Sequence, residues 1–104
     1  MTETVNINIG RQFSRFPSGR TPIDSAFSGE AFREKFLLAP LKAGKVVQVE
    51  LDDAISYGSS FLDEAFGGLV RKHAMSVPFL KESLKFVSFD RSLKSEIWSY
   101  IQNT

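Results

Sequence analysis

Alternating and continuous apolar runs predict the strands of this chain. Residues 4–9 alternate between apolar and polar side chains, which is typical of a half-buried strand near a sheet edge. Residues 46–51 form a short β-branched and mostly apolar run, which favours a strand covered on both faces. Residues 84–89 form a third compact apolar run. Residues 10–24 are rich in turn formers and are expected to return beside the first strand as a hairpin, giving about four strands.

Helical spacing of apolar residues predicts the helices. The first helix is expected at residues 28–39, with Ser28 as its N-cap and Pro40 near its end. The central helix follows the central strand, and Ser59 or Ser60 is expected to cap it. The apolar side chains that share one face of this central helix are Phe61, Leu62, Ala65, Phe66, Leu69 and Val70.

In the last third of the chain, the sequence predicts a short helical turn and a final helix. Pro78 suits the first position of a helix, and Asp90 can cap the final helix. Strands thus alternate with helices, so the fold class is predicted to be α/β, with helices packed against a small, mixed and mostly parallel sheet. With 104 residues, the chain is predicted to form a single domain over 1–104.

The turn between the central strand and the central helix is the first candidate site. Residues 56–58 form this turn, and open α/β sheets place ligands at the carboxyl ends of their strands. Asp63 lies one turn into the helix and approximates a capping box with Ser60. The adjacent Gly67 and Gly68 each cost about 1 kcal/mol relative to alanine in a helix interior. We therefore expect another backbone to approach the helix closely at these glycines.

Composition and charge narrow the classes of function. A hydrophobic fraction of 42% and ten phenylalanines indicate a packed core. The formal net charge of +1 does not favour nucleic acid or an anionic membrane, and the absence of cysteine excludes disulfides and thiolate chemistry. The N-terminal segment lacks the features of a signal peptide, and no apolar run approaches the roughly 20 residues that span a bilayer. We expect a cytoplasmic protein without cofactor, metal or membrane contact.

Three arginines in residues 10–24 form a second candidate site. Arg11, Arg15 and Arg20 could fold over the amino end of the central helix, where the helix dipole and free amides attract anions. On this hypothesis the domain binds an anion or a nucleotide. The alternative is a solvated loop with surface ion pairs, which contribute little to stability. Convergence of the arginines on Ser59 and Ser60 would favour this anion site over a domain that only binds a protein partner.

The sequence does not favour catalytic chemistry. The single histidine, His73, lies roughly 20 Å along the helix from Ser60 at about 1.5 Å per residue, which excludes a serine–histidine–acid set. A capping or surface role is expected for His73. There is no phosphate-cradling loop and no metal-ligand spacing. Nucleic-acid binding is also disfavoured, because the phenylalanines are explained more simply as core residues. The chain is therefore expected not to be an enzyme.

Three segments resemble the bacterial family of STAS-like domains of unknown function. They are FSRFPSGR at 13–20, FSGEAFREKFL at 27–37 and YGSSFLDEAFGGLVR at 57–71. With the strand KVVQVELDD, the resemblance covers most of the chain and implies the STAS fold of the anti-sigma factor antagonists. In those proteins an anti-sigma kinase with a histidine-kinase-like ATPase fold phosphorylates a serine or threonine at the start of the helix after a central strand. The phosphate then breaks the contact between the two proteins.

The resemblance implies a signalling and regulatory domain that is switched by phosphorylation. The matching serine is Ser59 or Ser60, with Ser56 as a third candidate. A protein partner, such as a histidine-kinase-like ATPase, would contact the turn and the exposed face of the central helix. The partner-binding residues expected there are Tyr57, Gly58, Phe61, Asp63 and Glu64. An edge strand or the glycine-containing helix could also support a homodimer.

Overall fold

The computed structural model describes residues 3–104, and its centre is a sheet of three parallel strands. The strands are β1 (Thr4–Asn8), β2 (Val46–Glu50) and β3 (Leu84–Val87), and β2 lies between the other two. The prediction of an α/β fold with a mostly parallel sheet is confirmed. The prediction of about four strands is wrong, because residues 10–24 form a short helix and turns instead of a hairpin.

One face of the sheet is buried and the other is polar. In β2, Val47 and Val49 are buried, whereas Gln48 is half-buried and Glu50 is exposed. Ile7 pairs in register with Val49 and is buried on the same face. Successive side chains of a strand point to opposite faces, so the hydrophobic core lies on one side of the sheet. The prediction that the central strand is covered on both faces is therefore wrong.

The described residues form five helices. α1 (Ile9–Gln12) continues directly from β1, α4 (Val77–Ser83) precedes β3, and α5 (Arg91–Gln102) follows it. α2 and α3 each contain a π-helical segment between two α-helical segments. The segments of α2 are Gly29–Phe32, Arg33–Leu37 and Leu38–Lys42, and those of α3 are Ser59–Leu62, Asp63–Gly67 and Gly68–Arg71. None of these helices is long and apolar enough to cross a membrane.

Two helices have the N-cap residue that the sequence predicts, and a third helix does not. Ser28 and Asp90 cap α2 and α5 with their side chains, as predicted. The N-cap of α3 is Gly58, and no side chain caps that helix. The prediction that Ser59 or Ser60 caps α3 is wrong, and the expected capping box is absent. Because the helix begins at Ser59, both serines have helical backbone and cannot occupy the N-cap position.

Pro40 does not end α2, which continues to Lys42. A proline lacks the N–H group and its ring collides with the carbonyl four residues earlier in a regular α-helix. That carbonyl belongs to Phe36, which lies in the π-helical segment of α2. Within this segment Leu38 N–H donates to Arg33 O, five residues earlier, so the turn before the proline is wider. The prediction that the helix ends near residue 39 is therefore wrong.

Aromatic rings form a large part of the core. Phe32, Phe61 and Phe66 are fully buried, and the ring centroid of Phe32 lies 5.8 Å from that of Phe61 and 6.1 Å from that of Phe66. Phe13 joins this cluster from the loop after α1, with its centroid 5.3 Å from Phe32. Phe16, in the same loop, does not join the core, because it is 60% exposed.

Candidate functional site

The β2–α3 loop (residues 51–58) lies at the carboxyl edge of the sheet. Leu51 N–H donates to Val87 O at 3.0 Å, which joins the start of the loop to the end of β3. Two further N–H groups of the loop donate to carbonyl oxygens in residues 15–17, at 2.8 and 3.3 Å. Backbone hydrogen bonds therefore fix this loop from two sides. Its position matches the turn that the sequence indicated.

Tyr57 and Asp52 hold the inner side of the β2–α3 loop. The Tyr57 hydroxyl donates to a backbone carbonyl of the loop at 2.5 Å. The Asp52 carboxylate accepts from the Ser88 hydroxyl at 2.5 Å and from Phe89 N–H at 2.9 Å. Burial, together with the negative charges of Asp52 and Asp53, raises the pKa of Tyr57 well above its usual value. Tyr57 is therefore a neutral hydrogen-bond donor at physiological pH.

The three candidate serines differ in accessibility. Ser59 is exposed at the first position of α3, Ser60 is half-buried, and Ser56 is exposed in the β2–α3 loop. Within residues 3–104 none of the three hydroxyls makes a hydrogen bond. Ser59 thus combines an exposed, unbonded hydroxyl with a position at the start of the central helix.

Exposed apolar side chains surround this loop. Ile55 belongs to the loop and is 65% exposed, Phe16 lies in the segment bonded to it, and Phe89 follows β3 and is 98% exposed. An open cleft of about 290 Å³ lies between the loop and the start of α5. The residues lining this acidic cleft are Leu51, Asp52, Ala54, Ile55, Ser56, Tyr57, Leu62, Asp90, Leu93 and Glu96.

A second cleft, of about 300 Å³, separates α3 from α5. The residues lining this α3–α5 cleft are Arg20, Ser59, Asp63, Ser99, Tyr100 and Asn103. The Tyr100 hydroxyl donates to Glu96 Oε2 at 2.6 Å, and this bond raises the pKa of Tyr100 to about 12. The lining is therefore polar, with one guanidinium, one carboxylate and several neutral donors.

Arg20 and Asp63 form an ion pair in the α3–α5 cleft. Arg20 Nη1 lies 2.7 Å from Asp63 Oδ2, and Arg71 Nη1 lies 3.0 Å from Asp63 Oδ1. Burial raises the pKa of Asp63, but the hydrogen bonds from Arg20 and Arg71 outweigh it and hold the pKa below its usual value. Asp63 is therefore ionised and shared between two arginines.

Arg33 and Glu64 form a buried ion pair beneath this site. Arg33 is 1% exposed, and its Nη1 donates to Glu64 Oε2 at 2.8 Å and to Glu64 O at 2.6 Å. Its Nε donates to Glu34 Oε2 at 3.0 Å. Lys72 Nζ lies 2.8 Å from Glu64 Oε2. Burial raises the pKa of Glu64, but hydrogen bonds from Lys72 and Arg33 lower it below its usual value.

The π-helical segment of α3 creates the place that Arg33 occupies. In a regular α-helix Gly68 N–H would donate to Glu64 O, four residues earlier, but here it donates to Asp63 O. The Arg33 guanidinium donates to Glu64 O instead. A side chain on Gly68 would collide with that guanidinium. The prediction that another backbone approaches Gly67 and Gly68 is therefore wrong, since side chains fill this space.

The close backbone approach occurs at Gly29. A Cβ at this position would lie 2.5 Å from Phe61 O and 2.8 Å from Ala65 N. The first turn of α2 therefore crosses α3 at a distance that only glycine allows. This contact places Arg33, one turn further along α2, against Glu64.

The three loop arginines do not form one site. Arg11 Nε lies 3.0 Å from Asp53 Oδ2, beside the β2–α3 loop. Arg15 is exposed and forms no ion pair within the described part of the chain. Arg20 alone of the three lines the cleft that Ser59 lines. The geometry therefore supports one arginine near the candidate serine rather than a cluster over the start of α3.

The residues expected to bind a partner lie at different depths. Tyr57, Gly58 and Asp63 are half-buried at the surface. Phe61 is fully buried and Glu64 is 5% exposed. Phe61 and Glu64 therefore lie beneath the candidate surface and support it, and a partner in contact with this surface would not reach them.

Sequence reasoning missed the buried ion pair. Gly29, Arg33 and Leu37 recur every four residues and all three are buried, so this spacing was the available signal for Arg33. Glu64 had no such signal, because it follows Asp63 in a run that is typical of a solvated first turn. The residues of the acidic cleft were also missed, since they come from separate elements of the fold.

His73 and Glu34 contact each other. His73 follows α3, and its Nε2 lies 3.0 Å from Glu34 Oε2 of α2. Burial raises the pKa of Glu34, but hydrogen bonds from Arg33 and His73 lower it below its usual value. Residues 3–104 contain no cluster of three or more histidine, cysteine, aspartate or glutamate side chains that could hold a metal ion.

The fold and the loop define a small α/β domain with a candidate site at the carboxyl edge of a parallel sheet. The sequence profile of a family described as a STAS-like domain of unknown function (DUF4325) matches residues 28–94. The chain belongs to this family, so the family named from the sequence is confirmed, while the segment at 13–20 lies outside the matched residues. The match runs from the N-cap of α2 into the first turn of α5. Neither the curated proteins nor the solved structures gave a match.

Proposed function

We propose that this protein is a non-enzymatic regulatory domain of bacterial cytoplasmic signalling, which binds another protein through the β2–α3 loop and the start of α3. The observation that carries the proposal is the set of exposed apolar side chains around the loop, Phe16, Ile55 and Phe89. Ser56 belongs to the same loop and Ser59 follows it directly, and both residues are exposed. Large apolar side chains that stay exposed beside polar groups are typical of surfaces that bind other proteins.

Ser59 is the serine best placed to switch this contact. Its hydroxyl is exposed and unbonded, at the start of the helix that follows the central strand. A histidine-kinase-like ATPase would transfer the γ-phosphoryl group of ATP to Ser59 Oγ. ADP leaves in that step, and the hydroxyl proton passes to a base of the kinase. The product adds about −1.5 to −2 charges at the start of α3, next to the contact surface, and the cost of desolvating this charge opposes binding of a partner there.

The surroundings of Ser59 support a role as the serine that a kinase modifies, rather than as a catalytic nucleophile of this protein. The single histidine contacts Glu34 and does not approach Ser59. The carboxylate one helical turn from Ser59, that of Asp63, is already bound by two arginines. No described group is therefore placed to remove the hydroxyl proton of Ser59.

Phosphorylation is tested with the histidine-kinase-like ATPases encoded in the source genome. Each kinase is incubated with the full chain and ATP, and the intact mass is measured. We expect one kinase to add one phosphoryl group, and Ser59→Ala to abolish the addition. Ser56→Ala and Ser60→Ala are matched controls that should be modified like the wild type. Modification that persists in Ser59→Ala, or none with any kinase, contradicts the proposed switch.

The contact surface is tested by affinity capture from the native extract, read by mass spectrometry. We expect a partner of the wild type to be lost with Phe89→Ser and with Ser59→Asp. Ile23→Ser is the matched control, because Ile23 is 96% exposed, as Phe89 is at 98%, but lies outside the loop and outside residues 15–17 that bond to it. Equal capture by all four proteins would show that the partner binds elsewhere.

A homodimer is a separate proposal with its own surface. The chain's own side chains fill the space beside Gly67 and Gly68, so the glycine-containing helix offers no free small-residue face. β1 and β3 are the edge strands of the sheet, and each could pair with a second copy. Size-exclusion chromatography with light scattering distinguishes a dimer from a monomer, and a monomer at all concentrations contradicts this proposal.

A further inference from the structure

Ser59, Asp63 and Arg20 meet in the α3–α5 cleft. Ser59 and Asp63 are four residues apart on α3, so their side chains lie on the same face with Cβ atoms about 5–6 Å apart. Arg20 reaches this face from the loop before α2 and binds Asp63 at 2.7 Å. A guanidinium therefore lies next to the exposed hydroxyl of Ser59 while it is held by a neighbouring carboxylate.

The backbone of Arg20 is fixed, whereas its ion pair is accessible. Glu30 N–H donates to Arg20 O at 3.0 Å, and Arg20 N–H donates to the Asp24 carboxylate at 3.2 Å. The Arg20 side chain is about half exposed, unlike that of Arg33, which is enclosed. An accessible ion pair on a fixed backbone can change its partner without a movement of the fold.

Asp63 does not depend on Arg20 alone. Arg71 donates to Asp63 Oδ1 and, through Nη2, to Asp63 O, both at 3.0 Å. If Arg20 moved away, Asp63 would keep a bidentate contact with Arg71. The cost of releasing Arg20 from Asp63 is reduced for this reason.

We infer that a phosphoryl group on Ser59 lies in the α3–α5 cleft and takes the Arg20 guanidinium from Asp63, which stays bound to Arg71. This inference rests on the proposed phosphorylation of Ser59. A phosphate dianion carries more charge than one carboxylate and accepts two parallel N–H donors from a guanidinium. The Asn103 amide lines the same cleft and supplies a further donor, whereas the Ser99 hydroxyl already donates to Glu96 O at 2.7 Å. Arg20 is thus the phosphate-binding residue of the modified domain.

The test uses the full chain with phosphoserine incorporated genetically at position 59, so no kinase is needed. The second pKa of the phosphate, ordinarily about 6, is measured by ³¹P NMR titration. Because a bound guanidinium favours the dianion, Arg20→Gln is expected to raise this pKa by about half a unit or more. Asp63→Asn removes a competing carboxylate and a negative neighbour, so it is expected to lower the pKa.

Arg15→Gln is the matched control, because it removes the same charge from the same loop at an exposed position without an ion pair. It is expected to leave the phosphate pKa nearly unchanged. The ¹⁵N–¹H spectrum of each variant establishes that the fold is retained, and Arg20→Lys, which keeps the charge but not the bidentate contact, is expected to give an intermediate pKa.

The outcomes separate this inference from the proposed function. If Arg20→Gln leaves the phosphate pKa unchanged, or if Arg15→Gln raises it as much, Arg20 does not bind the phosphate and the inference is overturned. The kinase and capture experiments can still succeed in that case. If Arg20→Gln raises the pKa but no kinase modifies Ser59, the phosphate contact exists and the proposed switch fails.

Discussion

At the scale of single residues, Arg33 has the most unusual environment. Its guanidinium is enclosed, and it donates hydrogen bonds to Glu64 Oε2, Glu64 O and Glu34 Oε2. A buried charge is tolerated when it is paired and hydrogen-bonded, and removal of one partner leaves the other uncompensated. Arg33 therefore joins α2 to α3 by polar contacts within an otherwise apolar interface.

Arg33→Met is expected to lower the free energy of unfolding by about 3 kcal/mol. This value is at the low end of the range for a broken buried ion pair, because Lys72 continues to neutralise Glu64. The free energy of unfolding is measured by urea denaturation. Arg15→Met is the control and should change it by less than about 0.5 kcal/mol. The double variant Arg33→Met with Glu64→Gln should recover part of the loss. A cost for Arg33→Met no larger than that of Arg15→Met would contradict a buried pair.

The sequence predicts single residues well where the interaction is local. Ser28 and Asp90 cap helices because each bonds an amide three residues on, and such spacing is visible in the sequence. The start of α3 was predicted wrongly, since it depends on the loop before α2: Gly58 N–H donates to Pro17 O. Such a contact between distant segments has no local pattern.

At the scale of elements, the crossing of α2 and α3 determines the position of the candidate site. Gly29 brings the first turn of α2 against the backbone of α3 near Phe61. Arg33 then reaches Glu64, and the loop before α2 delivers Arg20 to Asp63. The helix crossing therefore positions both the buried ion pair and the accessible one.

Gly29→Ala is expected to lower the free energy of unfolding by about 1–3 kcal/mol, because the new Cβ overlaps backbone atoms that cannot move away. Gly67→Ala is the matched control: its Cβ would meet the flexible ends of Arg71 and Asp63. Gly67→Ala also gains about 1 kcal/mol of helix propensity in a helix interior, whereas Gly29 is the first residue of its helix. Urea denaturation should therefore show a clearly larger loss for Gly29→Ala. Equal losses would argue against the close crossing.

The helices and β1 were predicted from the periodicity of apolar residues, but the π-helical segments that interrupt α2 and α3 were not. Apolar spacing located α2, α3 and α5, and alternation located β1. The π-helical segments had no signal, because each depends on contacts made by another element, such as Arg33 with Glu64 O. Pro40 misled the prediction for the same reason, since the wider turn before it is not encoded by a local pattern.

At the scale of the whole molecule, the charged side chains of α2 and α3 form a connected network. Asp63 and Glu64 bind Arg20, Arg71, Arg33 and Lys72, and Glu34 binds Arg33 and His73. The pKa values of Glu34, Asp63 and Glu64 are all below their usual values. A carboxyl group whose pKa is lower in the folded state stabilises the fold above its unfolded-state pKa.

The stability of the protein is therefore expected to decrease in acid. The loss begins near the ordinary pKa values, 4.5 for glutamate and 3.8 for aspartate, and continues as pH falls through the lower folded-state values. Urea denaturation between about pH 7 and pH 3 measures this dependence. Asp63→Asn with Glu64→Gln should be less stable at neutral pH but lose less on acidification. If the wild type and the double variant show the same pH dependence of stability, the charged network is not the source of that dependence.

The fold class could be predicted because strands alternate with helices along the chain, and such an order makes neighbouring strands parallel. The number of strands could not, because residues 10–24 carry turn formers that suit a hairpin equally well. This segment instead brings Phe13 into the core and Arg20 to α3. The position of this segment depends on contacts with residues that are distant in the sequence. The acidic cleft likewise depends on residues from separate elements of the fold.

The parallel pairing of the strands has a consequence for the order in which the chain folds. Thr4 pairs with Val46 and Val47 pairs with Leu84, so β1 and β2 each wait for a partner that is made about forty residues later. During synthesis, α2 leaves the ribosome before β2 and before Glu64. Arg33 is solvated until α3 follows, and β1 has no neighbour until β2 follows. The sheet and the charged contacts of α2 are therefore expected to form together, late, in one cooperative step.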